Sequence, residues 1–206
     1  MKNYLKILFL SMMLAFTGMQ SYAQDVNYKA WITSISRADT DSLVFEIYII
    51  NTGVDSLKWQ GGAAGINFNY GGLIGGGVVT IGYISGSADT RIPTAQRTPY
   101  SIAVDSNSLM IKIQWSIATA ASASPIPAGA TGLKLGKFYI KNSVPFTFGT
   151  TDFQWSFVAS NATNGTLKTQ LGAYVGNSAS PPTYSSSSTN ITRPAKFYVI
   201  GNPEVN

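Results

Sequence analysis

The sequence predicts an all-β chain: a two-sheet antiparallel β-sandwich of jelly-roll type with about ten strands. Three observations predict it. Almost every apolar segment alternates apolar and polar residues at period two, the spacing of a strand with one buried and one wet face. Prolines and turns bearing glycine or asparagine fall between those segments. After residue 23, no window carries the i, i+3, i+4, i+7 stripe of an amphipathic helix.

The chain opens with a basic segment holding Lys2 and Lys6 and no acid. A ten-residue, mostly apolar run from Ile7 to Phe16 follows, and then Ser21-Tyr22-Ala23. Basic, apolar and small residues in that order make a secretion signal. The apolar run is half the roughly 20 residues a membrane-spanning helix needs. Cleavage is expected between Ala23 and Gln24, with no membrane insertion of what remains.

Residues 24–206 then read as one domain. The first strand candidate is 28–36. Leu43, Phe45, Ile47 and Ile49 share one face of the second, and Ile66, Phe68 and Tyr70 one face of the third. Further candidates are 78–84, 99–105, 109–117, 131–141, 153–157, 168–175 and 195–200. Eight glycines crowd Gly61–Gly77, which suits bulges and tight turns. The domain divides into a core over about 28–176, a Ser/Pro-rich exposed loop at 177–194 and a final strand at 195–200.

Composition excludes several function classes. There is no cysteine, hence no disulfide framework, thiolate metal site or lipoprotein anchor. There is no histidine, so Ser-His-Asp and Cys-His catalysis are closed. Without Lys2 and Lys6 the chain carries 12 basic and 9 acidic residues, a net +3. Those basic residues are scattered singly, which is not the footprint of a nucleic-acid binder. The glycines of 61–77 do not fall at G-x-G-x-x-G spacing and lead into a strand, so they make no phosphate cradle. Gly132–Phe138 lacks the spacing and the Ser/Thr of a nucleotide loop. No carboxylate pair is placed by sequence for glycoside hydrolysis. The expectation is therefore no enzyme and no cofactor.

Three sets of residues are left as candidates. Asp39 and Asp41 put two carboxylates in one loop, short of a calcium shell and equally suited to turn capping. Trp59, Tyr70 and Tyr184 flank glycine- or serine-rich loops, where an exposed ring can stack on a sugar. For Trp59 the alternative is capping one end of the sandwich. Trp115 and Trp155 lie on apolar faces and are expected in the core. N-x-S/T triplets at Asn161, Asn164 and Asn190 mark surface loops. Asp41-Ser42-Leu43 and Asp55-Ser56-Leu57 resemble a short bacterial O-glycosylation acceptor pattern.

Leu43–Gly53 (LVFEIYIINTG), Gly61–Asn69 (GGAAGINFN), Gly136–Ile140 and Phe153–Phe157 together resemble cohesin-like β-sandwich modules of secreted bacterial proteins, often cargo of the type IX pathway. The resemblance spans roughly 28–176 and rests on strand patterns. It implies a jelly roll related to cohesins and some carbohydrate-binding modules, holding a protein partner or a polysaccharide. No dockerin-contacting residue carries over. Type IX cargo ends in a separate sorting domain, so the chain is expected either to continue into one past Asn206 or to leave by the general route alone. The function expected first is a secreted, non-enzymatic adhesion or scaffold module that binds a partner protein or surface component. The alternatives are a carbohydrate-binding module using loop aromatics and a self-assembling homo-oligomeric fibre subunit, favoured by open edge strands.

Overall fold

The computed structural model describes residues 27–68, 75–105, 110–129, 131–147, 149–151, 153–156, 169–176, 183–185 and 197–199, the last two segments, 34–37 and 149–151 as backbone alone. Residues 1–23, the Ala23–Gln24 cleavage point, Tyr70 and the three N-x-S/T asparagines lie outside them.

The strands are β1 (Tyr28–Asp39), β2 (Ser42–Asn51), β3 (Leu57–Phe68), β4 (Val79–Tyr83), β5 (Ser101–Asp105), β6 (Met110–Trp115), β7 (Ser124–Ile126), β8 (Leu133–Asn142), β9 (Gly149–Thr151), β10 (Phe153–Trp155), β11 (Gln170–Val175), β12 (Thr183–Ser185) and β13 (Phe197–Val199). One helical turn, α1 (Thr94–Arg97), follows Pro93. A four-stranded sheet runs β1-β2-β8-β4 and a seven-stranded sheet runs β12-β11-β3-β6-β5, with β7 and β10 also on β3. All pairings between strands are antiparallel. The two-sheet antiparallel sandwich read from the alternation is the fold.

The alternation decides what lies between the sheets. Leu43, Phe45, Ile47 and Ile49 of β2 are buried, as are Ile111, Ile113 and Trp115 of β6. Aromatic rings knit the layers together. Phe45 stacks on Phe138 at 5.4 Å within the four-stranded sheet and meets Phe153 of the other sheet at 5.3 Å. Phe153 stacks on Phe68 at 5.0 Å, and Trp115 meets Phe138 edge-on at 6.2 Å. The Tyr28 hydroxyl also crosses between sheets to donate to the Leu171 carbonyl.

Two expectations need correction. The third strand is not confined to 66–70; β3 starts at Leu57 and runs through the first glycines. Four strands hold it, with β11 and β10 on one side and β7 and β6 on the other. The 177–194 loop contains β12, which pairs with β11. The final strand pairs with β9 in a separate two-stranded ribbon. Short elements such as β7 and α1 escaped the period argument because three or four residues carry too little period.

The glycines at the head of β3 make a bulge. Trp59 faces Ala173 and Gly61 faces Gly172, so Gln60 is the extra residue. Gln96 of α1, 2% exposed, answers the carbonyls there. Its Nε2 donates to Gln60 O at 2.7 Å and to Ser116 O at 2.8 Å. A Gln96→Leu variant leaves the part-buried Ser116 carbonyl without that donor but also removes the partnerless Oε1, and should lose about 1 kcal/mol. Urea unfolding followed by tryptophan fluorescence checks it; an unchanged midpoint refutes the anchoring role.

Candidate functional site

With the core between the sheets, two outer faces remain, and they differ in chemistry. On the seven-stranded sheet, β3 raises nothing taller than a methyl at Gly62, Ala63 and Gly65. Beside that floor lies a shallow depression of about 240 Å³ lined by Gly62, Ala63, Gln114, Gln170, Tyr100 and Ile117, among others. Tyr100 is 65% exposed and Ile117 58%, two of the few large apolar side chains left in solvent among the described residues. Backbone bonds place both. The Tyr100 N–H donates to Gln114 O at 2.9 Å, and the Ala118 N–H after Ile117 donates to Gln60 O at 2.7 Å. One ion pair stands on this face, Lys112 on Asp105 at 2.8 Å.

The four-stranded sheet turns outward an aromatic and basic surface. Trp31 of β1 lies directly across from Tyr48 of β2, and their rings stack at 5.6 Å and 12°. The indole reaches across β2 as far as Gly132, where a Cβ would stand 2.9 Å from Trp31 Cη2. Arg91 Nη2 donates to the Gly132 carbonyl at 3.2 Å and fixes that seat. Along β8, Lys134, Lys137, Tyr139 and Lys141 face outward, with Lys29 on β1. Glu46 takes the Tyr48 hydroxyl at 2.8 Å and lies 3.6 Å from Lys134. Asp41 lies 3.7 Å from Lys141.

Burial, then the hydrogen bond to Glu46 and its charge, push the Tyr48 phenol up from 10.0 to about 12. The folded value exceeds the unfolded one, so this stabilisation is complete below the unfolded value and is lost as pH rises through the folded one. Ultraviolet titration of the chain against Tyr48→Phe should show the missing phenol ionising near pH 12. Glu46→Gln should bring it down; a phenol titrating with the exposed tyrosines contradicts the geometry.

The candidates read from sequence fall elsewhere. Trp59 needs correction: it is 0% exposed, edge-on to Trp115 at 6.0 Å, because its position in β3 points between the sheets. It has no free ring face to stack on a ligand. Tyr184 has its backbone in β12 opposite Gly172, with its side chain outside the described residues, as Tyr70 is altogether. Asp39 closes the β1–β2 hairpin, its Oδ1 accepting the Thr40 N–H at 2.6 Å, while Asp41 faces Lys141. Among the described residues, no group of three or more His, Cys, Asp or Glu side chains comes together. No helix among them is long and apolar enough to cross a membrane.

Two antiparallel sheets packed on an aromatic core give this chain a cohesin-like β-sandwich fold. Solved structures agree. The seventh ScaB type I cohesin from Pseudobacteroides cellulosolvens superposes with a TM-score of 0.51 at 10% identity, over 87% of this chain and 96% of that one. A type II cohesin domain from the cellulosome of Acetivibrio cellulolyticus gives 0.50 at 8% identity, over 84% and 95%. The type II cohesin dyad of the adaptor ScaA scaffoldin of Acetivibrio cellulolyticus gives 0.50 at 11%, over 90% of this chain and 51% of the dyad. No protein-family model and no curated protein matches the chain.

Proposed function

We propose that this chain is an exported, non-enzymatic scaffold or adhesion module that holds a partner protein on the outer face of the seven-stranded sheet. The observation that carries the reading is the pairing of Tyr100 and Ile117, 65% and 58% exposed, beside a floor of glycine and alanine. An exposed aromatic and an aliphatic anchor beside a low floor suit a protein interface, where a few buried anchors supply most of the energy. The fold is one shared with modules named as cohesins of a cellulosome and of a scaffoldin, which favours a scaffold role over a catalytic one. The whole sequence lacks histidine and cysteine, which favours the same. Export rests on residues 1–23, removed after Ala23 to leave Gln24 at the head of one domain over 24–206. The chain then works outside the cell or at its surface, by the type IX route or the general one.

The test is differential capture. The purified chain, immobilised, is offered the secreted and surface proteins of its source organism. A partner should be retained by the wild type and by Trp31→Ala, but lost with Tyr100→Asp plus Ile117→Asp. Both substitutions are at exposed positions and should leave stability within about 0.5 kcal/mol. A partner retained equally by the double variant refutes this face as the docking site.

A further inference from the structure

The outer face of the four-stranded sheet plays no part in that reading, yet it has a distinct chemistry. Four lysines project from it: Lys29 on β1 and Lys134, Lys137 and Lys141 on β8. Against them stand Glu46 near Lys134 and Asp41 near Lys141, with the exposed Asp39 at the same hairpin end and Asp89, which acts on Lys134 and is itself ion-paired to Arg91. The balance is slightly positive, and Lys29 and Lys137 stand in no ion pair with these carboxylates. Over β1 and β2, at the Gly132 end, is the half-buried Trp31–Tyr48 stack, held by a glycine that leaves room for the indole and by a carboxylate that holds the phenol. A third ring, Tyr139, 38% exposed, lies across Gly82 of β4, where any Cβ would collide with it.

We propose that this face binds an anionic polysaccharide, with the Trp31–Tyr48 pair as stacking platform and the lysines as counter-ions to its carboxylate or sulfate groups. The arrangement fits that class of ligand on three grounds. Sugar rings present C–H faces that pack on aromatic rings, and the rings here are fixed in place before any ligand arrives. Lysine supplies a compact, mobile point charge suited to acid groups spaced along a polymer, not the planar fork that grips one carboxylate. Outward positions on a strand recur about every 7 Å, so Lys137, Tyr139 and Lys141 form a row of cation, ring and cation that a linear chain can follow. Scattered single charges suit spaced acid groups better than the dense phosphates of nucleic acid.

The experiment is affinity electrophoresis of the purified chain through gels containing polygalacturonate, with dextran as the neutral control and polyglutamate as the acidic polypeptide. Migration should be retarded by polygalacturonate alone, and retardation should vanish at roughly 0.5 M salt, where screening acts within a few ångström. Lys29→Glu with Lys137→Glu should abolish it. Trp31→Ala should weaken it about tenfold, the worth of one desolvated cation or sugar contact on an aromatic face. Tyr48→Phe, which keeps the stack and removes the bond to Glu46, should still bind and covers the case in which Trp31→Ala unfolds. Tyr100→Asp should change nothing, so this site and the protein-docking face fail or hold separately. No retardation overturns the proposal, as does equal retardation by dextran. Equal retardation by polyglutamate reassigns the face to an acidic protein. Binding untouched by Trp31→Ala with the fold intact shows that the platform takes no part.

Discussion

Gly62→Ala is expected to destabilise the fold by about 3 kcal/mol or more, one of the two largest effects of a single substitution in this chain. Two costs coincide. Gly62 has φ +144°, a region L-residues rarely enter. A Cβ there would also overlap the Gln170 carbonyl oxygen, which belongs to the backbone of β11 and cannot swing aside. Gly61, at φ +125°, would likewise drive its Cβ into the Ser116 carbonyl oxygen. The pair lets β3 change neighbours on one side: there it is paired with β7 up to Trp59 and with β6 from Gly62, while β11 stays on the other side through Ala63. Gly76 is the control. It has φ +82° but nothing within 4 Å of a Cβ, so Gly76→Ala should cost only the backbone term, about 1 kcal/mol. Urea midpoints for the three proteins decide it. Equal losses for Gly62→Ala and Gly76→Ala would show that the collision is relieved by a shift of β11.

The same bulge shows why some of the architecture was legible in the sequence and some was not. Alternation reports which residues share a face, and there the reading succeeded: Phe45, Ile47 and Ile49 on β2 and Ile111, Ile113 and Trp115 on β6 all point inward. Alternation does not report which residue lies across from which. A hairpin closed at Asp39 and Ser42 with no irregularity would put Trp31 opposite Ile50. Shifts between Thr33 and Ser36 and between Arg37 and Asp39 move it two places, to Tyr48. The aromatic platform is a product of those two shifts, and no local signal in Ser34–Arg37 announces them. Tyr100 and Ile117 were missed for a related reason. They lie 17 positions apart in sequence and come together only because β5 folds back on β6, with Ser101 opposite Gln114. Trp59 failed in the other direction. Its glycine neighbours read as a loop, when they are the bulge of a strand buried on the Trp59 side.

Trp59→Ala should therefore cost about 3–5 kcal/mol, as expected when a fully buried indole is emptied from a core. The ring packs edge-on against Trp115, which in turn meets Phe138 of the opposite sheet, so the cavity would open on the contact that joins the two layers. Trp59→Phe should cost far less, about 1 kcal/mol. Phenylalanine keeps much of the buried ring and removes the indole N–H, which has no hydrogen-bond partner. A loop aromatic serving a sugar site predicts the opposite pattern: unchanged stability for either variant and loss of ligand with alanine. Trp31 supplies the comparison, since it is half-buried on the outer face and its loss should move polysaccharide binding much more than the unfolding midpoint. Thermal unfolding of Trp59→Ala, Trp59→Phe and Trp31→Ala, read beside retardation in polygalacturonate, separates the two roles. If Trp59→Ala melts with the wild type, the ring is not in the core and the two-sheet packing derived from it is wrong. If it melts early while Trp31→Ala melts near the wild type but binds about tenfold more weakly, the side of the sheet on which a tryptophan stands decides whether it builds the domain or serves a ligand.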